Sequence, residues 1–298
     1  MTHTPLKAVP YIILVGGIYG SNMVIARFSL GQYAPLTLVA LRLTIAALVY
    51  CGIYLLSPAR EFPRNKNLWI KSAISGLLST VIPLSGFIAA MQYISSGITG
   101  LLDTLVPVFV IILAHFVVDE KMSWQKGLGT LIAFLGTAFL WFRGESGLAE
   151  IGRADWRGYA FALFAVLSSA SGILFARYYL AKEDTIDVSA MRMICAALIT
   201  IPLSLLVHGF DLSKVNVVGY GALIYLSLIG TLLAFLLDFY IVQKFGATAG
   251  SQVIYVIPCA AILLGMLVLG EKVTLAMLFG MVLIFLGLVL INRRTSHA

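Results

Sequence analysis

Apolar stretches of about twenty residues recur along the whole chain, separated by short segments that carry charges, prolines and polar clusters. A helix of roughly 17–25 mostly apolar residues is long enough to cross the hydrocarbon core of a bilayer. Charged types make up only 11% of the 298 residues, too few to cover the outside of a soluble globule. The stretches therefore predict an all-α polytopic membrane protein whose main partner is the lipid bilayer.

Ten transmembrane helices follow when the sequence is cut wherever charges, prolines or polar clusters interrupt an apolar stretch. The predicted spans are 8–28, 34–56, 69–91, 97–117, 124–142, 157–180, 187–208, 217–243, 247–269 and 274–292. All four tryptophans, Trp69, Trp124, Trp141 and Trp156, fall at span ends, where an amphipathic ring prefers the headgroup region.

Lysine and arginine are distributed unequally between the two sets of connectors. Twelve lie on the side that carries both chain termini and six on the other side, while Arg42 and Arg192 stay within spans, which accounts for all 20. Because cytoplasmic connectors carry the excess of Lys and Arg, we predict that both termini are cytoplasmic.

Several classes of function are disfavoured by the same residues. The net charge of +7 lies in short connectors, so a nucleic-acid partner is not predicted. Cys51, Cys195 and Cys259 sit in apolar stretches without CxxC or Cys/His spacing, and His115 is not part of an HExxH motif. No P-loop occurs. We therefore expect no metal, no cofactor and no enzymatic activity, and a gradient rather than ATP as the driving force.

Residues of the first half recur in the second half at a shift of 150 or 151 positions. The recurring pairs are Ala26-Arg27 with Ala176-Arg177, Arg42 with Arg192, Pro107 with Pro258, Glu120-Lys121 with Glu271-Lys272, Gly129 with Gly280, and Phe134-Leu135-Gly136 with Phe285-Leu286-Gly287. Each half holds five spans, and an odd number places the second copy in the membrane upside down. The sequence predicts two inverted five-helix repeats, 1–143 and 154–294, joined by 144–153, an organisation that suits alternating access.

In the block from Pro107 to Gly136 and its echo from Pro258 to Gly287, the chain resembles the drug/metabolite transporter superfamily, and within it the EamA-type ten-helix transporters. The resemblance covers nearly the whole chain. It implies two packed five-helix bundles, a central cavity lined by helices one to four and six to nine, and peripheral helices five and ten. Several members export amino acids, including aromatic ones, and more distant relatives exchange nucleotide sugars or sugar phosphates.

Ionisable side chains within spans are costly, by roughly 2.5–3.5 kcal/mol at a helix centre, so each needs a partner or a wet cavity. From their depths we predict two ion pairs, Arg42 with Asp103 on the outer side and Arg192 with Asp238 on the inner side. They act either as gates and binders of a substrate's charged groups or as structural pairs that fix helix packing. Pro107 and Pro258 are candidate hinges, although kinks also occur in static helices.

Polar, aromatic and methionine side chains on the expected lining helices are candidates for the substrate cavity. They are Ser21, Asn22, Met23, Arg42, Ser85, Phe87, Gln92, Tyr93, Asp103, Ser168, Ser169, Gln252 and Tyr255. The Glu-Lys pairs precede Ser123 and Thr274, which are placed to cap the next helices. The glycines of each repeat predict one smooth face where another helix comes close.

These observations predict a secondary transporter in a bacterial inner membrane. It would export amino acids, including aromatic or other neutral ones, and related small metabolites by alternating access. The alternative is an exchanger of nucleotide sugars or phosphorylated sugars. Such substrates would need several cations within the spans, and only Arg42 and Arg192 lie there. Substrate identity, proton coupling and oligomeric state are left open by the sequence.

Overall fold

A computed structural model describes residues 6–57, 60–118, 122–149 and 152–292, and every regular element among them is helical. A short 3₁₀ turn, Leu6–Ala8, precedes the first helix. The α-helices are α1 Val9–Ser29, α2 Pro35–Leu56, α3 Lys66–Gly76, α4 Ile82–Ala90, α5 Ser96–Asp103, α6 Val106–Val118, α7 Trp124–Arg143, α8 Trp156–Tyr179, α9 Thr185–His208, α10 Val217–Ile224, α11 Ala234–Phe245, α12 Ala247–Leu269 and α13 Leu275–Asn292.

The predicted all-α membrane architecture is confirmed. Within the described ranges, nine helical segments are long and apolar enough to cross a membrane. The fifth predicted span, α7, is not among them, because Gln125 and Lys126 in its first turn lower its mean hydropathy, but it is 20 residues long and packs along α13. All ten predicted spans begin and end within about three residues of the observed helices.

The fourth predicted span departs from a single helix. It consists of α5 and α6, which are separated by a turn at Thr104 and Leu105. Pro107 is the second residue of α6, where its missing N–H needs no partner, whereas Pro258 lies inside the continuous helix α12. The expected symmetry of the two prolines is therefore not present in the backbone, and a hinge at either of them stays a prediction.

Two of the spans contain a π-helical segment in their middle, which the sequence did not predict. Leu77–Val81 joins α3 to α4, and Tyr225–Leu233 joins α10 to α11. A π-helical turn holds one more residue than an α-helical turn, so it redirects backbone carbonyls and often occurs at functional sites. Both segments border the cavity described below.

Helix starts follow the predicted capping residues where they can be compared. The Ser123 hydroxyl accepts a hydrogen bond from the Lys126 N–H at 3.3 Å, and the Thr274 hydroxyl accepts one from the Met277 N–H at 3.1 Å. Glu120 and Lys121 lie outside the described residues, so their predicted connector role is not addressed.

Helices of one half pack mainly against helices of the other half. The most extensive contacts join α1 to α12, α2 to α9, α4 to α8, and α7 to α13. At the last of these crossings, a Cβ added to Gly129 would lie 2.6 Å from the Gly287 carbonyl oxygen, and one added to Gly136 would lie 3.0 Å from the Gly280 oxygen. The predicted glycine faces therefore do allow two helix backbones to approach closely.

The two ends of the bundle are distinguished by the loops that they carry. We call the end where α1 begins and α2 finishes the proximal end, and the end that carries the α1–α2 loop, 30–34, the distal end.

Candidate functional site: a central cavity

A cavity of about 280 Å³ lies in the middle of the bundle. Its lining includes residues from α1, α2, the α3–α4 span, α5, α8, α9, the α10–α11 span and α12, whereas α7 and α13 contribute none. This arrangement agrees with the cavity that the sequence resemblance implies, in which helices five and ten are peripheral.

One wall of the cavity is a polar cluster that joins the two halves. The Arg42 guanidinium donates from Nε to the Thr231 hydroxyl at 2.9 Å and from Nη2 to the Gly230 carbonyl at 3.4 Å. The Asn22 amide donates to the same carbonyl at 2.6 Å. Because the π-helical segment turns these acceptors toward α1 and α2, two of the nitrogens of the buried Arg42 guanidinium have partners.

Asp103 supplies a carboxylate to the same cavity, at the end of α5. Tyr19 also lines the cavity and interacts electrostatically with Asp103, Asp238, Arg42 and Arg192. Tyr19 therefore lies within electrostatic range of charged side chains from both halves.

Neither predicted ion pair is formed among the described residues. In the described part of the chain, ion pairs join Arg60 to Asp184 and Asp187, and Arg157 to Asp155, but not Arg42 to Asp103 or Arg192 to Asp238. Similar depth in the membrane was the basis for the prediction, and depth does not fix the facing of a helix. The Gly230 carbonyl and the Thr231 hydroxyl of the α10–α11 span take the donors of Arg42 that Asp103 was expected to take.

Apolar side chains form most of the remaining lining. Among the predicted candidates, Asn22, Met23, Arg42, Phe87, Asp103 and Ser169 line the cavity. Further apolar surface comes from Met91, Met193 and Phe235. A soft, polarizable lining of Met and Phe suits an apolar or aromatic substrate group.

The other predicted candidates lie elsewhere. Ser21 contacts the Tyr225 hydroxyl, the Ser85 hydroxyl is buried, and Gln92 lines a distal groove. Tyr93 stacks on Phe161, and Ser168 donates to the Leu78 carbonyl. The Tyr255 hydroxyl accepts from Asn292, and Gln252 lies on α12 outside the cavity lining. Gln92 and Tyr93 lie in the turn after α4, and each of the others is on an expected helix, but on a face that the sequence could not assign.

Sequence reasoning missed Tyr19, Thr80, Thr231 and Phe235, all of which line the cavity. A signal for two of them was present, because Thr80 recurs as Thr231 at the shift of 151 that relates other repeated residues. Tyr19 lies one helical turn before Met23 and shares its face.

Contacts between the halves also join the helices at the distal end of the bundle. The buried Glu271 carboxylate accepts hydrogen bonds from the Ser96 N–H and hydroxyl, both at 2.8 Å, and from the Gly97 N–H at 3.3 Å. The Gln32 side chain accepts from the Asn216 N–H, which also joins the halves. The Arg27 guanidinium donates to the Met91 carbonyl within the first half.

The proximal end carries a second group of contacts between the halves. Arg60 forms a salt bridge with Asp184 at 3.0 Å, and the Tyr54 hydroxyl donates to Asp187. Hydrogen bonds from the Asp187 N–H and from Arg60 hold the pKa of the Asp184 carboxyl below its usual range. The cavity therefore lies between two sets of polar contacts, one at each end of the bundle.

Comparison with known proteins finds a family whose model matches most of the chain. The model of the EamA-like transporter family matches residues 6–142 and 156–293. An uncharacterised transporter of Archaeoglobus fulgidus is 24% identical over 93% of this chain and 95% of its own length. The uncharacterised transporter YoaV of Bacillus subtilis is also 24% identical, over 95% and 96%.

A relative with a named substrate class and a solved structure are also similar. A probable terminal-alkyne amino-acid exporter of Streptantibioticus cattleyicolor is 28% identical over 63% of this chain and 61% of its own length. A protein crystal structure superposes with a TM-score of 0.65 at 19% identity, covering 94% of this chain and 95% of the other. That similarity supports the fold alone.

Proposed function

The chain belongs to the EamA-like transporter family, and on that premise we propose that it exports amino acids, including aromatic or other neutral ones, by alternating access. The relatives that match along nearly the whole chain are transporters, so transport of a small molecule is the common activity. The proposal adds the class of substrate, the direction and the mechanism.

The observation that carries the proposal is the pairing of opposite charges with an apolar lining in one cavity. Asp103 offers an acceptor for an ammonium group, and Arg42 supplies positive charge on the α2 side for a carboxylate. Phe87 and Met193 add the surface that an apolar side chain needs. A zwitterion with an apolar side chain matches all three properties.

The size of the cavity also favours an amino acid over a nucleotide sugar. A volume of about 280 Å³ lies at the lower limit of small-molecule sites, which are typically 300–1,000 Å³. A nucleotide sugar would need more room and more cations than this lining offers. The name of the Streptantibioticus relative, an amino-acid exporter, supports the smaller substrate class.

Membrane placement is part of the proposal. We place the chain in a bacterial inner membrane with its proximal end, and both termini, in the cytoplasm. The two repeats 1–143 and 154–294 would then exchange conformations to open the cavity first to one side and then to the other.

The experiment is uptake by liposomes that contain the purified protein. Labelled Phe, Tyr, Trp, Met, Thr, a nucleotide sugar and a sugar phosphate form the panel, with unlabelled competitors. We expect saturable, competed uptake of amino acids, with the apolar and aromatic ones preferred. Uptake of the phosphorylated compounds alone would replace the proposal with the exchanger.

Replacing Asp103 by asparagine tests the ammonium site. The variant Asp103→Asn keeps the size of the side chain but removes its charge, and we expect amino-acid uptake to fall by roughly tenfold or more. Asp211→Asn is the matched control, because Asp211 is exposed in a distal connector. Equal uptake by the two variants would remove Asp103 from the site.

A further inference from the structure

Arg42 and Arg192 are equivalent residues of the two halves, but their surroundings differ. Arg42 donates to the Thr231 hydroxyl and to the Gly230 carbonyl. The buried Nε of Arg192 has no hydrogen-bond partner among the described residues, and the guanidinium carbon lies 5.7 Å from the centre of the Phe235 ring. An unpaired donor of a buried cation is costly, so this state leaves Arg192 in need of an acceptor.

The repeat identifies the acceptor. Thr231, which binds Arg42, corresponds to Thr80 at the shift of 151, and Thr80 lines the cavity from the π-helical segment of the α3–α4 span. A Cβ added to Gly76 would lie 3.1 Å from Arg192 Cγ, so the base of the arginine already packs on this span. Thr80 follows Gly76 by four residues, about 6 Å along the helix.

Contacts next to the two arginines also join positions that are related by the repeat. Asn22 of α1 contacts Gly230, and the equivalent contact joins Gly172 of α8 to Ser79, where an added Cβ would meet the Ser79 backbone nitrogen at 2.7 Å. Each arginine therefore lies near a π-helical segment of the opposite half that packs against the equivalent helix, α1 or α8. The arginine bond is therefore one of the contacts that differ between the two sides, together with the Asn22 hydrogen bond, which Gly172 cannot make.

We propose that the Arg42–Thr231 bond and an Arg192–Thr80 bond alternate during transport. The present state has the Arg42–Thr231 bond. In the state that is open to the opposite side of the membrane, Arg192 donates to Thr80, and Arg42 no longer donates to Thr231. Exchange of two conformations between inverted halves produces this alternation. The inference rests on the alternating-access part of the proposed function and is independent of the substrate.

Two matched substitutions test the inference. Thr231→Val removes the acceptor used in the present state, and Thr80→Val removes the acceptor used only in the other state, while valine keeps the shape of each side chain. The reporter is Ser169→Cys in a chain whose Cys51, Cys195 and Cys259 are replaced by alanine, because Ser169 lines the cavity. An impermeant maleimide is added to right-side-out and to inside-out membrane vesicles.

We expect the two substitutions to shift the ratio of labelling from the two sides in opposite directions, each by about three- to tenfold. The double variant should return close to the parent ratio, because each state then loses one bond. Thr200→Val is the control, since the Thr200 hydroxyl bonds only carbonyls of its own helix α9 and should leave the ratio unchanged.

Shifts in the same direction, or no shift in either variant, would overturn the inference. A purely structural role would destabilise both variants without an opposite change in sidedness. The measurement needs no substrate, so its failure is distinct from a failure of amino-acid uptake: opposite shifts without amino-acid uptake would keep the inference and reject the substrate class.

Discussion

At the scale of single residues, Gly230 shows how the cavity wall depends on a missing side chain. Its carbonyl accepts from both Asn22 and Arg42, and a Cβ at this position would lie 1.7 Å from the Asn22 Oδ1 atom. The π-helical geometry exposes the carbonyl, and the absence of a side chain lets the two donors reach it. A glycine in the middle of a membrane helix is therefore part of the polar cluster.

Gly230→Ala should displace Asn22 and Arg42 and leave buried polar groups unpaired. We expect a loss of at least about 2 kcal/mol in stability and the loss of most transport. Thermal unfolding in detergent and uptake by liposomes measure the two effects.

Gly221→Ala is the matched control on the same span, because nothing lies within 4 Å of an added Cβ there. Its expected effect is neutral or slightly stabilising, by about 0.5–1 kcal/mol, because alanine favours helix. Equal melting temperatures for the two variants would refute the role given to Gly230.

At the scale of elements, α5 depends on a residue from the other half. This helix has only eight residues, and its first N–H groups are satisfied by its own Ser95 and by the buried Glu271 carboxylate. A carboxylate at a helix N-terminus also interacts favourably with the helix dipole. The connector between α12 and α13 therefore holds in place the helix that presents Asp103 to the cavity.

Glu271→Gln should weaken this connection. Glutamine has one acceptor oxygen, and its NH₂ group would face the N–H donors of α5, so we expect a loss of about 1–3 kcal/mol. Thermal unfolding of the purified protein measures it, together with the apparent KM for the transported amino acid, which should rise as Asp103 loses its fixed position.

Lys272→Gln is the control for Glu271→Gln. The Lys272 side chain is exposed, and its backbone N–H, which donates to the Gly147 carbonyl at 2.8 Å, is unchanged by the substitution. A Glu271→Gln protein as stable as this control would contradict the assigned role.

At the scale of the whole molecule, the two halves are bound to each other but not in a symmetric way. Contacts of α1 with α12 are more extensive than the repeat-related contacts of α8 with α5 and α6. An inverted repeat that is caught in one of two conformations has this property, because the related contacts would exchange in the other conformation. The asymmetry supports alternating access as the mechanism.

The orientation of the bundle in the membrane makes a further prediction. In a chain without its native cysteines, Lys214→Cys in a distal connector should react with an impermeant maleimide in intact cells. Glu61→Cys in a proximal connector should react only after permeabilisation, because the excess of Lys and Arg lies on its side. The reverse pattern would invert the proposed topology.

The helices and their order were predictable because membrane insertion imposes a strong and local constraint. A span must be long and apolar, its ends carry tryptophans and charges, and Ser123 or Thr274 at a boundary caps the next helix. Repetition along the chain, visible in Arg42 and Arg192, also predicted two inverted repeats, and the central cavity was implied by the resemblance to the EamA-type transporters. These features depend on neighbours in the sequence or on composition alone.

The partners of the charged side chains were decided only by the tertiary structure. Arg42 was expected to bind Asp103, yet it binds a hydroxyl and a carbonyl of the α10–α11 span, because the π-helical segment Tyr225–Leu233 turns them toward it. Most apolar helices here offer no polar face that fixes their rotation, so the sequence does not show which side chains meet. The sequence thus determined the membrane architecture, and the rotation of the helices and the two π-helical segments determined the site.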